Sequence, residues 1–366
     1  MFSFFKRRAV PIQPLTLKTR VQNFWSWYEE VAPRFSQTIA AGQCPALAAE
    51  VSAKIDELLP GFAWVFGPGE TDKSHSLTLS GEGNLHRQLV AIYWASQAPK
   101  ITSWTFYPSR QPGTIEGCCI NIGDRKFDPK EFWITPSINS ENEVVDLIVW
   151  HPLLAIVPER DRYTVLFLFL DEILGEYGTQ HWIGKIAFDG KQLADSIPIS
   201  ELLRFIEKVK TEKGWQKYPP GESWTGYSFE RQHDDFLRGD IIAGSTSNIV
   251  LINEYLDAQG ELENPLAGTG ADYVFVAFDA TILPKGSEVD SRSRIEDALE
   301  NELKAAQCGR VLGGAFGTRF AYIDVMIFDG ANSLAIIKKV LNDHRLPSGT
   351  TVHFFSKENR NSRIVL

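Results

Sequence analysis

Apolar residues near the start of the chain follow a helical spacing. Over 18–40 they stand three or four residues apart, on one face of a predicted helix: Phe24, Tyr28, Val31, Phe35 and Ile39. The same spacing predicts a second helix over 47–59. The segments after it are strand-like at 62–66 and 76–80, helical at 85–93 and strand-like at 104–106. The predicted order is therefore strand, strand, helix, strand.

This order is predicted a second time between residues 118 and 188. The elements are strand-like segments at Cys118–Ile122, Glu131–Ile134 and Val144–Trp150, a helix over Tyr163–Leu174, and a closing strand, His181–Phe188. Gly175 is expected to weaken that helix. We expect the repeated ββαβ unit to form one mixed sheet with helices on one face.

From Asp272 onwards the pattern predicts strand, helix, strand, strand, helix, strand. Asp272–Asp279 is apolar enough for a buried strand, and Ser293-x-x-Glu296 is a capping box expected to open the first helix. A hairpin around Gly317 and a helix over Ser333–Leu341 precede a final strand at 351–355. This order is typical of a ferredoxin-like split βαβ domain, with four antiparallel strands in the order 4-1-3-2 and both helices on one face.

The fold class predicted from these patterns is α+β with two domains. An N-terminal mixed-sheet domain over 18–212 would contain the repeated ββαβ unit. Pro219-Pro220-Gly221 lies in the predicted linker, 213–232. The C-terminal domain would be 233–366, with its ferredoxin-like core at 272–356.

Composition and charge indicate which classes of binding partner are to be expected. The net charge is −9, and residues 272–366 contain 12 acidic and 12 basic residues, so the excess lies in residues 1–271. An acidic surface repels phosphate backbones, and nucleic acid is not expected as a partner. Apolar runs such as Val165–Leu170 are too short to span a bilayer, and the first residues lack the order of a signal peptide. We expect a cytoplasmic protein with no membrane partner.

Cysteine spacing gives no sign of a metal or a disulfide framework. Cys44, Cys118, Cys119 and Cys308 form no C-x-x-C pair, which fits a reducing compartment. The chain also lacks a phosphate-binding loop with its lysine and a G-x-S-x-G nucleophile turn. No cofactor, metal or catalytic residue is predicted.

Short segments spread over the first 190 residues resemble a bacterial family of conserved hypothetical proteins without an assigned activity. They are Phe24–Trp27, Trp64–Pro68, Leu77–Gly81, Ala98–Pro99, Trp104–Phe106, Phe132–Trp133 and Leu170–Glu176. Most are core or turn residues, so the resemblance implies a shared fold and assigns no site residue. Some proteins of this kind resemble immunity or regulatory proteins, which implies a role of that type.

The predicted strand over 320–328 is apolar on both faces. One face is aliphatic, which suits the side covered by helices; the other is formed by Phe320, Tyr322, Asp324, Met326 and Phe328. We call this second set the aromatic face. It is expected to be covered by the first domain or a second copy, or else to bind a partner. Asp324 must be solvated at an interface or hydrogen-bonded, because an unpaired buried carboxylate is costly.

The strand also resembles the third strand of RNA-recognition domains, whose alternating aromatics stack on bases. The resemblance implies RNA binding through residues 320–328. Thr318-Arg319 replaces the basic-glycine pair usual there, and the segment has no net positive charge. RNA binding is therefore the weaker alternative.

A polar cluster precedes the last domain: His233, Asp234, Asp235 and Arg238. Side chains of consecutive residues diverge, and no second cluster offers further ligands. A solvated or capping segment is therefore expected rather than a metal or acid–base site.

The function expected from the sequence is a non-catalytic protein-binding or regulatory module, whose partner is another protein or a second copy of the chain. An enzyme whose site is assembled from sequence-distant residues is the competing class. A pocket with converging carboxylates or histidines would favour the enzyme, and a flat, solvent-facing aromatic sheet would favour the binding module.

Overall fold

The computed structural model describes residues 15–71, 73–230, 232 and 235–365, and its fold class is α+β, as predicted. The α-helices in these ranges are α1 (Leu17–Ala40), α2 (Ala48–Leu58), α3 (Leu85–Ser96), α4 (Glu159–Trp182), α5 (Leu202–Lys213), α6 (Ile249–Asp257), α7 (Glu288–Ala305) and α8 (Gly330–Asp343). None of the described helices combines the length and apolar character needed to cross a membrane.

Sixteen strands lie in the same ranges. Those of the first part are β1 (Ala63–Pro68), β2 (His75–Ser80), β3 (Trp104–Tyr107), β4 (Ile120–Ile122), β5 (Arg125–Phe127), β6 (Trp133–Asn139), β7 (Val144–Trp150), β8 (Ile183–Phe188) and β9 (Ile197–Pro198). The others are β10 (Thr225–Ser228), β11 (Ile241–Thr246), β12 (Asp272–Asp279), β13 (Gly309–Gly317), β14 (Phe320–Ile327), β15 (Thr351–Phe354) and β16 (Ile364–Val365).

The chain divides into two compact units. The described residues of unit 1 are those of 15–30, 53–60 and 225–365, and unit 2 holds 31–52 and 61–224. The break after residue 224 falls inside the predicted linker. That linker is not a free connection, because β10 is an edge strand of the unit 1 sheet. The N-terminal part of the chain supplies segments to both units.

Unit 2 contains two ββαβ repeats with the same connectivity. In the first repeat β1 pairs antiparallel with β2, and α3 leads to β3, which is parallel to β2. In the second repeat β6, β7, α4 and β8 are joined in the same way. The expectation of one mixed sheet was wrong. The repeats form a three-stranded sheet β1-β2-β3 and a four-stranded sheet β8-β7-β6-β9, and β4 and β5 form a separate hairpin.

The core of the second repeat follows from its sequence pattern. Alternate residues of β7 (Val145, Leu147 and Val149) turn towards the apolar faces of α4 and α5. The opposite side of α4 keeps Phe167 and Leu168 about 40% exposed. One face of α4 is therefore anchored in the core while the other is available to form a cleft.

Unit 1 is built on a seven-stranded sheet with the order β10-β11-β13-β14-β12-β15-β16. Its four central strands, β13-β14-β12-β15, have the predicted antiparallel order 4-1-3-2, with α7 and α8 as the two crossing helices. The sequence did not predict the added strands. The sequence-based prediction also placed the start of α7, the first helix of this core, too late. Helix α7 begins at Glu288, where acidic residues favour the first turn, so Ser293 lies inside it.

Candidate functional site

The aromatic face is buried within unit 1 rather than exposed. Tyr322, Asp324 and Met326 are 0% exposed, Phe328 is buried and Phe320 is half-buried. On the same side of the sheet, Tyr255 of α6 contacts the rings of Phe275 and Phe355. Both phenylalanines are only 1% exposed. The face therefore offers no flat surface on which bases or a protein partner could stack.

Arg238 is the partner of the buried Asp324 carboxylate within this face. Its guanidinium forms two hydrogen bonds with Asp324, one of them 3.1 Å long, and lies about 5 Å from the ring centres of Phe275, Tyr322 and Phe355. Burial raises the pKa of Asp324, and the charge of Arg238 opposes that rise. Of the two alternatives for Asp324, the structure shows the hydrogen-bonded one.

The predicted polar cluster is not brought together as a site. His233 and Asp234 lie outside the described residues, Asp235 is exposed, and Arg238 is 1% exposed. The backbone of Arg238 has a φ of 77°, and its N–H donates to the Tyr322 hydroxyl, which donates to Asp240. Arg238 is therefore a core residue. Within the described part of the chain, no group of His, Cys, Asp or Glu is placed to hold a metal ion.

A different site lies in unit 2, between the two ββαβ repeats. It is a cleft of about 490 Å³ lined by Glu82 and Gly83 of the β2–α3 turn, by α4 and by the start of β8. Three carboxylates converge on it: Glu82, Asp171 and Glu176. We call it the acidic cleft. No lysine, arginine, histidine or cysteine is among the described residues that line it.

Glu176 joins the second repeat to the first. It is 3% exposed, and its carboxylate accepts hydrogen bonds from Ser80 Oγ (2.7 Å), Gly83 N (3.0 Å) and Gln88 Nε2 (2.9 Å). Three such donors compensate for the loss of water around a buried carboxylate. These hydrogen bonds hold the Glu176 carboxylate in place in the inner wall of the cleft.

Glu82 occupies the rim. Its Oε1 lies 2.7 Å from Arg110 Nη2 and 3.1 Å from the Ser80 hydroxyl. The side chains of Glu82 and Arg110 are 49% and 30% exposed, so this ion pair faces solvent and is weak. Because Ser80 contacts both Glu82 and Glu176, one hydroxyl connects the two carboxylates.

Gly175 directs Glu176 towards its partners. It interrupts α4 with a φ of 72° and a ψ of 163°, a conformation that side chains rarely adopt. A Cβ there would lie 2.8 Å from the Arg110 carbonyl oxygen and 2.9 Å from Pro112 Cδ. The same carbonyl accepts the Glu176 N–H at 3.0 Å. Glycine is therefore required at position 175 for two reasons: the backbone conformation that interrupts α4, and the close packing of residues 110–112 against that position.

Asp171 is the carboxylate whose protonation is most affected by the cleft. Burial raises its pKa to about 6; Glu176 and Glu82 add to the rise, while the Thr179 hydroxyl and Arg110 oppose it. The Thr179 hydroxyl is buried and lacks a hydrogen-bond partner among the described residues. Asp171 itself has no ion pair closer than 4 Å among the described residues. It is the cleft's least compensated charge.

No protein family matches this chain, and neither the curated proteins nor the solved structures give a significant match. The resemblance in the first 190 residues therefore stays a prediction.

The sequence contained a signal for the cleft that we interpreted differently. Leu77–Gly81 and Leu170–Glu176 carried the resemblance to the bacterial family, and we took them as core and turn residues. They supply Ser80, Asp171, Gly175 and Glu176. Their joint role was not predictable because 96 positions separate Ser80 from Glu176. Polar residues next to a glycine interruption in an otherwise apolar helix were the available signal.

Proposed function

We propose that this protein is a ligand-binding module whose acidic cleft takes a small organic cation, an ammonium or guanidinium group joined to an apolar body. The observation that carries the proposal is the lining of the cleft, whose described residues include three carboxylates and no lysine or arginine. A cation is the complement of that charge, and its attraction to carboxylates is stronger where water is partly excluded.

The apolar part of the ligand follows from the opposite wall. Phe167, Leu168, Ile183 and Ile186 line the cleft, and the first two are about 40% exposed in the free protein. Burying such surface against a ligand is favourable, and a volume of about 490 Å³ is within the range of small-molecule sites. A bare inorganic cation would leave this wall in water. An amine with an aromatic or aliphatic body would cover it.

This proposal keeps the non-catalytic, regulatory role expected from the sequence but changes the class of partner. The aromatic face is buried, which removes the support for RNA stacking and for a protein partner at residues 320–328. A protein or a second copy as a partner elsewhere remains a prediction, as do the cytoplasmic location and the immunity-type role.

A second candidate function is acid–base catalysis in the same cleft. It is favoured by one observation: Asp171 has a pKa of about 6 and stands near a fixed carboxylate, the pattern of a group that exchanges protons near neutral pH. A pocket with converging carboxylates was also our sequence-based criterion for an enzyme. Binding has the stronger support, because it needs only the charge and shape of the cleft.

Isothermal titration calorimetry with the full chain tests the proposal at pH 7.5. The probes are 2-phenylethylamine and its neutral counterpart, 2-phenylethanol. We expect the amine to bind at least tenfold more tightly than the alcohol. Asp171→Asn should weaken amine binding about tenfold, because it removes the least compensated charge at nearly constant shape. Asp195→Asn, at an exposed carboxylate outside the cleft, is the matched control and should change nothing.

Equal binding of alcohol and amine, or an unchanged affinity in Asp171→Asn, would contradict the proposal. Recovery of the unaltered amine after prolonged incubation supports a binding role. Its conversion to a product, lost in Asp171→Asn, would instead favour the enzyme.

A further inference from the structure

Unit 1 has a second pocket with the opposite charge. It has a volume of about 400 Å³ and lies where the first turns of α7, the loop after β12 and the chain after α8 meet. Arg294, His344 and Arg345 line it, and no carboxylate is among its described lining residues. We call it the basic pocket.

The two arginines of the basic pocket are not used by the fold. Arg294 and Arg345 are exposed, and neither side chain forms an ion pair or a hydrogen bond within the described part of the chain. The remaining arginines of unit 1 include several that are paired, such as Arg238 with Asp324 and Arg292 with Glu296. In a chain of net charge −9, two unpaired guanidinium groups at one cavity are a local reversal of sign.

The floor of the pocket is apolar. Leu283 and Ile295 are buried, Leu346 is half-buried, and Ile282 at the edge is 40% exposed. Ser291, one turn before Arg294 on α7, adds a hydroxyl to the lining. A planar guanidinium matches the geometry of a carboxylate or phosphate group, which it binds through two parallel hydrogen bonds. The pocket thus combines anion donors with a surface for an apolar body.

We propose that the basic pocket binds an organic anion, a carboxylate or phosphate group attached to an apolar body. This site is independent of the acidic cleft, because it lies in the other unit and has the opposite charge. A structural alternative exists for Arg345 and His344: they follow the end of α8, where positive charges offset the negative end of the helix dipole. That role does not involve Arg294 on α7.

The probe for the basic pocket is 3-phenylpropanoate, titrated into the full chain by calorimetry, with 2-phenylethanol as the neutral counterpart. We expect the anion to bind at least tenfold more tightly than the alcohol. Arg294→Gln and Arg345→Gln should each weaken it at least fivefold, and Arg294→Lys should retain part of the affinity. Arg160→Gln, an exposed arginine of unit 2 without a side-chain partner in the described chain, is the matched control.

The two proposals fail independently. Asp171→Asn should leave 3-phenylpropanoate binding unchanged, and Arg294→Gln should leave 2-phenylethylamine binding unchanged. Anion binding that survives Arg294→Gln would overturn the basic pocket as the site. A loss of stability in Arg345→Gln with unchanged anion binding would also overturn it and would support the helix-end role.

Discussion

At the scale of single residues, the least expected feature is how completely Asp324 is compensated. Its partner, Arg238, is 86 positions away and lies in a segment that the sequence suggested was solvated. The local pattern around Arg238 does not single it out as buried, because acidic residues stand on both sides of it, Asp235 before and Asp240 after. The sequence could show that Asp324 needs a partner, but not which one, since pairing across the fold has no local signal.

We predict that Arg238→Met destabilises unit 1 by about 3–5 kcal/mol, because it leaves the Asp324 carboxylate buried without a counter-charge. The double variant Arg238→Met with Asp324→Leu should recover most of that loss, because the uncompensated charge is removed. Urea unfolding followed by tryptophan fluorescence measures both. A single variant as stable as the native protein would show that the pair is not a structural element of the core.

At the scale of secondary-structure elements, periodicity predicted most helices and strands well. Helix α1 was found where expected because its apolar residues recur every three or four positions, and the hairpin β13–β14 because two largely apolar segments flank Gly317. Helix α6 and strand β11 were not predicted, since the serine- and threonine-containing stretch Gly244–Asn248 was interpreted as a loop. Helix α4 was predicted to weaken at Gly175. The sequence could not show that the chain turns there and resumes a helix.

Gly175→Ala should destabilise unit 2 by about 1–3 kcal/mol, since alanine is strained at a positive φ and its Cβ would meet the backbone at Arg110. Because Glu176 would shift, amine affinity should fall as well. Thermal unfolding by circular dichroism and calorimetry measure the two effects. Gly190→Ala is the control, because its Cβ would meet nothing within 4 Å and its φ is not positive. If both variants unfold at the same temperature, the interruption of α4 is not under steric constraint.

At the scale of the whole molecule, the two units were predicted but their composition was not. The backbone of Leu17 bonds to Gly270 and that of Lys18 to Phe328, which ties the start of α1 into unit 1. Such pairings across more than 250 residues leave no trace in periodicity or composition. A fragment that begins at residue 225 therefore lacks two segments of its own unit, 15–30 and 53–60. Our sequence-based division at 233 treated the C-terminal domain as continuous.

The position of the acidic cleft is likewise determined by the packing of distant segments rather than by any single element. The ββαβ repeats were visible in the pattern, but the cleft depends on how the β2–α3 turn of one approaches α4 of the other. Its charge comes from Glu82, Asp171 and Glu176, and no local sequence motif marks these residues as parts of one site. The function proposed here is therefore a property of the assembled unit.

The most direct test of that function is the pKa of Asp171 measured by carbon NMR of its carboxyl group, with and without saturating 2-phenylethylamine. The free protein should give a pKa of about 6. A bound cation stabilises the carboxylate, so the pKa should fall by at least about one unit, which corresponds to tenfold tighter binding to the ionised form. For a fall of one unit, amine affinity should accordingly rise about fivefold between pH 5 and pH 7, as Asp171 loses its proton. A pKa that stays near 6 while the amine is bound would contradict the account.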